Sequence, residues 1–278
     1  MTIKTLLNQS AAALEPYSGT PRLDVEILLA HALKRPLAFL LSHNEQKISS
    51  IIRWRFERWI EKRKRGVPIA YLIGHKEFYC LDFKVNSHTL IPRPDTEILV
   101  ETAIDFIQNM HAKTLPLLVD VGTGSGCIPI AILNSIPQLK AVATDISGAA
   151  LRVASQNAKA HRVLDRMTFL KSDLLAGFHS ATVGDRAWVV TANLPYIPLG
   201  FPMTAETTFE PPLALFAEDE GLFLYKKLVQ QIIPLKPLAI FFECFDFQVQ
   251  ALCSCLPGYR MQMTPMSGQA CVAAFYRL

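Results

Sequence analysis

From residue 115 onward the chain alternates short apolar runs with amphipathic stretches, and this alternation constrains the fold more than any other feature. Residues 117–121 (Leu-Leu-Val-Asp-Val) read as a buried strand, and a helix opens at 127–133. Residues 141–145 read as a second strand, 149–160 as a second helix, 167–170 as a third strand and 188–192 as a fourth. A helix over 221–233, a fifth strand over 238–242 and two later strands around 259–261 and 271–275 complete the series. Strands that alternate with helices build a mostly parallel sheet with helices on both faces, so the expected class is α/β. Ligands of such a sheet sit at the carboxyl ends of its strands.

The first 75 residues show another pattern. Val25, Leu28, Leu29, Ala32 and Leu33 recur at the spacing of one helical face, with Thr20-Pro21 as a start and Arg35-Pro36 as a stop. Ile52, Phe56, Trp59 and Ile60 make a second stripe, with Arg55, Arg58, Lys62 and Arg65 opposite and Gly66-Val67-Pro68 ending the helix. A small helical domain over 1–75 is expected, with nothing catalytic in it. His31 lies off its stripe and reads as a surface residue. The formal net charge of +4 is mild, yet these 75 residues carry 12 Lys/Arg against 6 Asp/Glu. The excess is densest in Arg53, Arg55, Arg58, Lys62, Arg63, Lys64 and Arg65. Such a cluster could meet RNA or an acidic protein face, or be a solvated helix face; nucleic-acid contact is allowed but not required.

Residues 76–92 read as a linking β-hairpin. Tyr79, Leu81, Phe83 and Val85 alternate, Asn86-Ser87 would turn, and Thr89, Leu90 and Ile91 would return. Pro92 and Pro94 stiffen the next few residues, and Asp95 is expected to cap a helix through Ile98, Leu99, Ala103 and Phe106. Residues 93–278 then form the main domain. Half of all residues are hydrophobic, which suits a filled core rather than disorder. No run approaches the ~20 apolar residues of a membrane span, and no signal-peptide apolar region comes after Lys4. The six cysteines form no CxxC pair, Cys253 and Cys255 are too close for a usual zinc pair, and no HExxH is present. The expectation is a cytoplasmic protein with reduced thiols, no metal and no membrane.

The chemistry concentrates after the predicted strands. Asp120-Val121-Gly122-Thr123-Gly124-Ser125-Gly126 follows a strand and opens a helix. Glycines let a ligand approach the backbone, and the helix N-terminus offers free N–H donors. A dinucleotide site wants GxGxxG, but Cys127 stands where the third glycine should be, which argues against a dehydrogenase. Asp120 would repel a pyrophosphate and suits a cation, such as the ammonium or sulfonium of S-adenosylmethionine. Asp145 ends the next strand, placed to accept from ribose hydroxyls. Ser172-Asp173-Leu174 follows the third, placed for adenine, with Asp173 accepting from the exocyclic amine. Singly each Asp could be a loop or cap residue; three at successive strand ends beside a GxGxG loop point to S-adenosylmethionine.

Asn193-Leu194-Pro195-Tyr196 follows the fourth strand. A string like this is by itself a plausible turn; its place makes it chemistry. An amide or aniline-type nitrogen is a poor nucleophile because its lone pair is delocalised. The Asn193 side-chain oxygen and a backbone carbonyl can each accept one N–H and stabilise the charge that develops on methylation. Tyr196 would supply a flat wall and Pro195 would stiffen the loop. No dedicated general base is evident.

These residues resemble the release-factor glutamine methyltransferases over nearly the whole chain. The resemblance rests on the hairpin with Phe78 and Val85, on Leu90-Ile91-Pro92-Arg93-Pro94-Asp95-Thr96-Glu97, on the glycine loop, Asp145, the tetrad, and Phe209-Glu210-Pro211. It implies a Rossmann-like S-adenosylmethionine-dependent methyltransferase sheet over 93–278. It also implies a helical N-terminal domain that docks peptide chain release factors, and methylation of the glutamine in their Gly-Gly-Gln loop. Carried over by position, Gly122, Thr123, Gly124, Ser125, Gly126, Asp145, Asp173, Leu174 and Asn193 would hold the cofactor. Asn193, Leu194, Pro195 and Tyr196 would hold the glutamine, with Asn193, Pro195 and Tyr196 as the catalytic set. Arg93 lies in a segment that would cover the pocket.

There are departures from the family pattern. The family has Asn-Pro-Pro-Tyr where this chain has Leu194, which keeps the carbonyl but loses a ring. The stretch Glu243-Cys244-Phe245 lacks a glycine expected after the glutamate, and the segment from Ser267 to Cys271 also differs. Two other readings stay open: an amino-methyltransferase acting on adenine in DNA or RNA, and a non-catalytic cofactor-binding interaction protein.

Overall fold

The structure is a computed structural model that describes residues 1–110, 114–176, 178, 186–203 and 206–278. The chain divides into two compact units, one comprising Met1–His75 and Met203–Phe209, the other Lys76–Pro202 and Glu210–Leu278.

The first unit packs α1 (Ile3–Leu14), α2 (Pro21–Leu33), α3 (Leu37–Ser42), α4 (Ser50–Lys64) and α5 (Ile69–Ile73) around one apolar core. The stripe Val25, Leu28, Leu29 and Ala32 is buried against Leu6, Leu7, Phe56 and Ile60, as the periodicity required. His31 is exposed, and its ring lies beside Trp59. On α4, Arg55 stacks over Trp59 and Arg58 over Trp54. One member of the basic cluster departs from expectation. Arg63 is only 3% exposed, donating to Asp24 at 2.7 Å and to Glu206 at 2.5 Å. A guanidinium can be buried there because two carboxylates meet its fork. Its partners lie 39 and 143 residues away, so nothing local marked it.

The second unit begins within a hairpin that pairs β1 (His75–Phe78) with β2 (Leu81–Lys84). Its turn is Tyr79-Cys80, both left-handed at φ 51° and 57°, the backbone of a two-residue type I′ turn. The sequence-predicted turn lay later, because Tyr-Cys carries none of the usual Asn-Gly signal. Asn86 does turn the chain, its side chain accepting from the His88 N–H at 2.9 Å, but residues 89–91 do not return as a strand. Instead the Ile91 N–H donates to Glu210 at 3.0 Å. Asp95 does not cap a helix either; it sits inside a short 3₁₀ turn, Pro94–Thr96, and accepts from the Ser267 hydroxyl.

The main sheet has seven strands: β3 (Leu117–Val121), β4 (Lys140–Asp145), β5 (Met167–Lys171), β6 (Trp188–Ala192), β9 (Ala239–Phe245), β10 (Tyr259–Pro265) and β11 (Ala270–Arg277). A two-residue pair, β7 (Ile197–Pro198) and β8 (Phe216–Ala217), lies apart. The order across the main sheet is β10-β11-β9-β6-β3-β4-β5, with β10 and β11 antiparallel. Alternate residues of each strand feed two cores. Leu118, Ala141, Val189 and Phe241 face α6 (Glu97–Gln108) and α7 (Cys127–Ser135). Val119, Val142, Val190 and Phe242 face α9 (Phe223–Ile232) and α10 (Val249–Cys255). The remaining helix, α8 (Gly148–Ala160), packs beside β4 and β5. Among the described residues, no helix is long and apolar enough to cross a membrane.

The buried pair in the first unit yields a test. Asp24→Ala would leave the buried Arg63 with the half-exposed Glu206 as its remaining carboxylate, and removing one partner of a buried pair costs up to about 3–5 kcal/mol. We expect a loss of that size in urea unfolding of the full chain, monitored by tryptophan fluorescence. A change below about 1 kcal/mol, the value of a surface pair, would refute it.

Candidate active site

Strand order reverses at β3, whose neighbours are β4 on one side and β6 on the other. Loops leaving β3 and β6 therefore diverge and open a crevice at their carboxyl ends. A cavity of about 330 Å³ lies there, within the range of small-molecule sites. Gly122, Thr123, Gly124, Ser125, Asp145, Asp173, Leu174, Asn193, Leu194 and Pro195 all line it, with Arg93 and Thr96.

The glycine loop is held from below. The N–H groups of Gly122 and Thr123 both donate to the Thr144 carbonyl at 2.9 Å. Gly124 donates to one oxygen of Asp145 at 2.9 Å and Ser147 to the other at 2.8 Å. Asp145 thus shapes the loop as well as facing the cavity. Each of its oxygens keeps a second lone pair for a hydroxyl. At Gly122, φ is 72° and an added Cβ would lie 2.8 Å from the Leu194 side chain. That closeness seats the glycine loop directly against the tetrad.

Three expected residues are placed differently. Gly126 caps α7 away from the cavity wall, where an added Cβ would lie 3.0 Å from Ala154 on α8. Its smallness serves helix packing. Tyr196 does not line the cavity; its ring meets Phe245 edge-on and its hydroxyl donates to Glu243 at 3.0 Å. Asp120 is 1% exposed beneath the loop, accepting from the Thr191 hydroxyl at 2.7 Å, and faces no ligand directly. Burial pushes its carboxyl up to about 7. Asp173 does line the cavity, but one of its oxygens pairs with Lys227 at 2.5 Å.

Several residues that sequence reasoning left without a role brace the tetrad. The Leu194 N–H donates to the Tyr225 hydroxyl at 3.2 Å, and that hydroxyl donates to the Glu243 carbonyl. The Gln248 amide donates to the carbonyls of Tyr196 and Glu220 at 2.9 and 2.7 Å. Gly221 runs so close that an added Cβ would lie 2.0 Å from the Tyr196 carbonyl oxygen. Glu210, 2% exposed, accepts from the Ile91 N–H and from Arg93 at 2.5 Å, tying the segment before α6 to the cavity rim. Glu243 is a charged residue inside an otherwise apolar strand, and that anomaly was its available signal.

Comparison with known proteins bears on this arrangement. Residues 5–74 match the family described as PrmC N-terminal domain, and residues 98–190 match Methyltransferase small domain. The release factor glutamine methyltransferase of Xylella fastidiosa is 39% identical over 203 residues, 72% of this chain and 71% of that protein. That of Moorella thermoacetica is 37% identical over 234 residues, 82% and 80%. The chain belongs to the release factor glutamine methyltransferase family. The bifunctional methyltransferase of Rickettsia bellii is 35% identical over 257 residues, but the match spans only 45% of that longer protein. Among solved structures, the catalytic domain of hMettl16 bound to a MAT2A 3′UTR hairpin superposes with a TM-score of 0.60 at 14% identity, covering 90% of each chain. That likeness shows a shared methyltransferase fold. This family member is an S-adenosylmethionine-dependent methyltransferase, and the glycine cradle and acid-lined cavity fit that cofactor.

Asp120 and Tyr225 each give a measurable outcome. The folded protein holds a proton on Asp120 up to about pH 7, against roughly 3.9 in an unfolded chain, so this group makes the fold less stable as pH rises through that interval. Asp120→Asn should flatten that part of the stability profile, measured as urea midpoint against pH; an unchanged slope would refute the assignment. Tyr225→Phe leaves the Leu194 N–H and the Glu243 carbonyl without their partner, which should cost about 1–3 kcal/mol in the same assay.

Proposed function

We propose that this methyltransferase transfers a methyl group to the side-chain amide nitrogen of the glutamine in the Gly-Gly-Gln loop of peptide chain release factors. Its family membership supports the substrate. The observation that carries the site is the seating of Leu194 against Gly122, with Asn193 next to it on the wall of the same cavity. The adenine-directed and non-catalytic readings draw no support from the relatives.

In this reading Gly122, Thr123, Gly124, Ser125, Asp145, Asp173 and Leu174 hold the cofactor, which supplies an electrophilic sulfonium methyl. Asp145 accepts from the ribose and Leu174 offers backbone and apolar contact to adenine. Asp173 retains one oxygen for the adenine amine beside its Lys227 pair. Asn193 Oδ1 and the Leu194 carbonyl accept the two N–H groups of the glutamine amide. They fix its nitrogen in line with the methyl and offset the positive charge that builds there. Pro195 holds the loop between them. Tyr196 acts from behind the wall rather than on it. No side chain is assigned as base, and the proton leaves to water after transfer. The helical unit, residues 1–75, docks the release factor, and its Arg-stacked α4 face is the charged surface available for that.

Labelled cofactor and a release factor give the test. Label should enter the factor and fail to enter one whose loop glutamine is changed to alanine; persistent labelling of the altered factor would rule out the target. Asn193→Ala should lower kcat by about 100-fold or more, the scale of a lost transition-state acceptor, with the circular dichroism unchanged.

A further inference from the structure

The side-chain oxygen and nitrogen of an Asn have nearly the same shape, so only the surrounding hydrogen bonds decide which one a ligand meets. This matters at Asn193. Its oxygen can accept from an amide N–H, whereas its NH2 group would repel one. The Asn193 NH2 donates to the Thr96 hydroxyl at 3.2 Å. A hydroxyl has one proton, so Thr96 can accept from Asn193 and still donate onward. The group on the far side of Thr96 then determines the direction of the chain.

Glu243 stands there. It is 3% exposed at the end of β9, and the Thr96, Tyr196 and Asn193 side chains face its carboxyl. One oxygen takes the Tyr196 hydroxyl at 3.0 Å; among the described residues, no close hydrogen bond reaches the other. A buried carboxylate oxygen without a full partner is a strong acceptor. An ionised carboxylate can only accept. Its charge favours the arrangement in which the Thr96 proton and the Asn193 NH2 both point to its side, which is the orientation in which Asn193 donates to Thr96. The Asn193 oxygen is left facing the cavity. A protonated Glu243 can instead donate to Thr96, which allows the whole chain to reverse and Asn193 to flip.

We propose that Glu243 is a positioning residue, whose buried carboxylate acts through Thr96 to hold the Asn193 oxygen toward the substrate nitrogen. It touches neither substrate nor cofactor. Its negative charge beneath the tetrad also favours the positive charge that forms on the nitrogen. The inference rests on the reading of Asn193 given above.

Burial raises the Glu243 pKa above the ordinary carboxylate range, and the three facing side chains oppose that rise. The titratable groups around it are Asp95 of the 3₁₀ turn, Tyr196, Tyr225 of α9, Cys127 of α7, and Cys244 and Cys271 of the sheet. The carboxylate is the active form, so kcat should rise with pH through its ionisation.

The test uses the full-length enzyme. Glu243→Gln keeps the shape, but its amide cannot accept from both Tyr196 and Thr96. We expect kcat to fall about 30-fold or more, with KM for cofactor and release factor within about threefold and the acid limb of the wild-type kcat profile lost. Thr96→Val should cost a similar factor, and the double variant no more than either alone, as for two members of one chain. An E243Q enzyme with wild-type kcat and the same acid limb would overturn the proposal, as would independent, multiplying losses. A second arm needs no turnover. In 15N-labelled protein, the side-chain NH2 resonances of Asn193, identified by their loss in N193A, should shift with pH in the wild type and not in E243Q. Invariant resonances in the wild type would overturn the proposal. If the wild type fails to methylate a release factor, the substrate reading falls while the NMR arm still decides the role of Glu243.

Discussion

Parallel pairing of β3 with β6 sets Val121 beside Ala192, so the next residues, Gly122 and Asn193, leave the sheet side by side. The glycine loop and the tetrad are brought together by that register and by little else. They are 71 residues apart along the chain, as measured between the bonded pair Asp120 and Thr191 at the same level of the sheet. A one-residue slip would turn every side chain of β6 to the opposite core. The two apolar layers that grip alternate residues of β3 and β6 therefore also hold the site in register.

Two carboxyl groups lie in the buried layer beneath the site. Asp120 and Glu243 are both buried behind the cavity wall, each with an oxygen that no close hydrogen bond reaches among the described residues. Burying a carboxyl without full compensation opposes folding. That cost is consistent with roles in positioning: a group in a low-dielectric setting orients its neighbours more strongly than one in water. Thr191 on Asp120 and Tyr196 on Glu243 are the partial compensation.

Leu194 illustrates how a departure from a family pattern is absorbed. A proline at this position would stiffen the loop through its ring but would have no N–H. Leucine supplies an N–H, and the buried Tyr225 hydroxyl captures it while anchoring itself on the Glu243 carbonyl. The side chain meanwhile fills the space above Gly122 that only a glycine leaves open. Rigidity that a ring would provide covalently comes here from a hydrogen-bonded tyrosine.

Periodicity alone determined the α/β class, the central strands, the helical N-terminal stretch and the placing of Gly122, Asp145, Leu174 and Asn193 at one sheet edge, because these depend on spacing within a few residues. Composition hid the Tyr79-Cys80 turn, whose residues rarely adopt left-handed backbone, and suggested a surface charge at Arg63, which is buried. What the tertiary structure alone decided is everything that depends on a partner distant in sequence: the Asp24–Arg63–Glu206 cluster, the tie from Glu210 to Arg93, and the Thr96, Tyr225 and Glu243 brace. A hydrogen bond is a property of two atoms in space, and a chain read in order shows only one of them at a time.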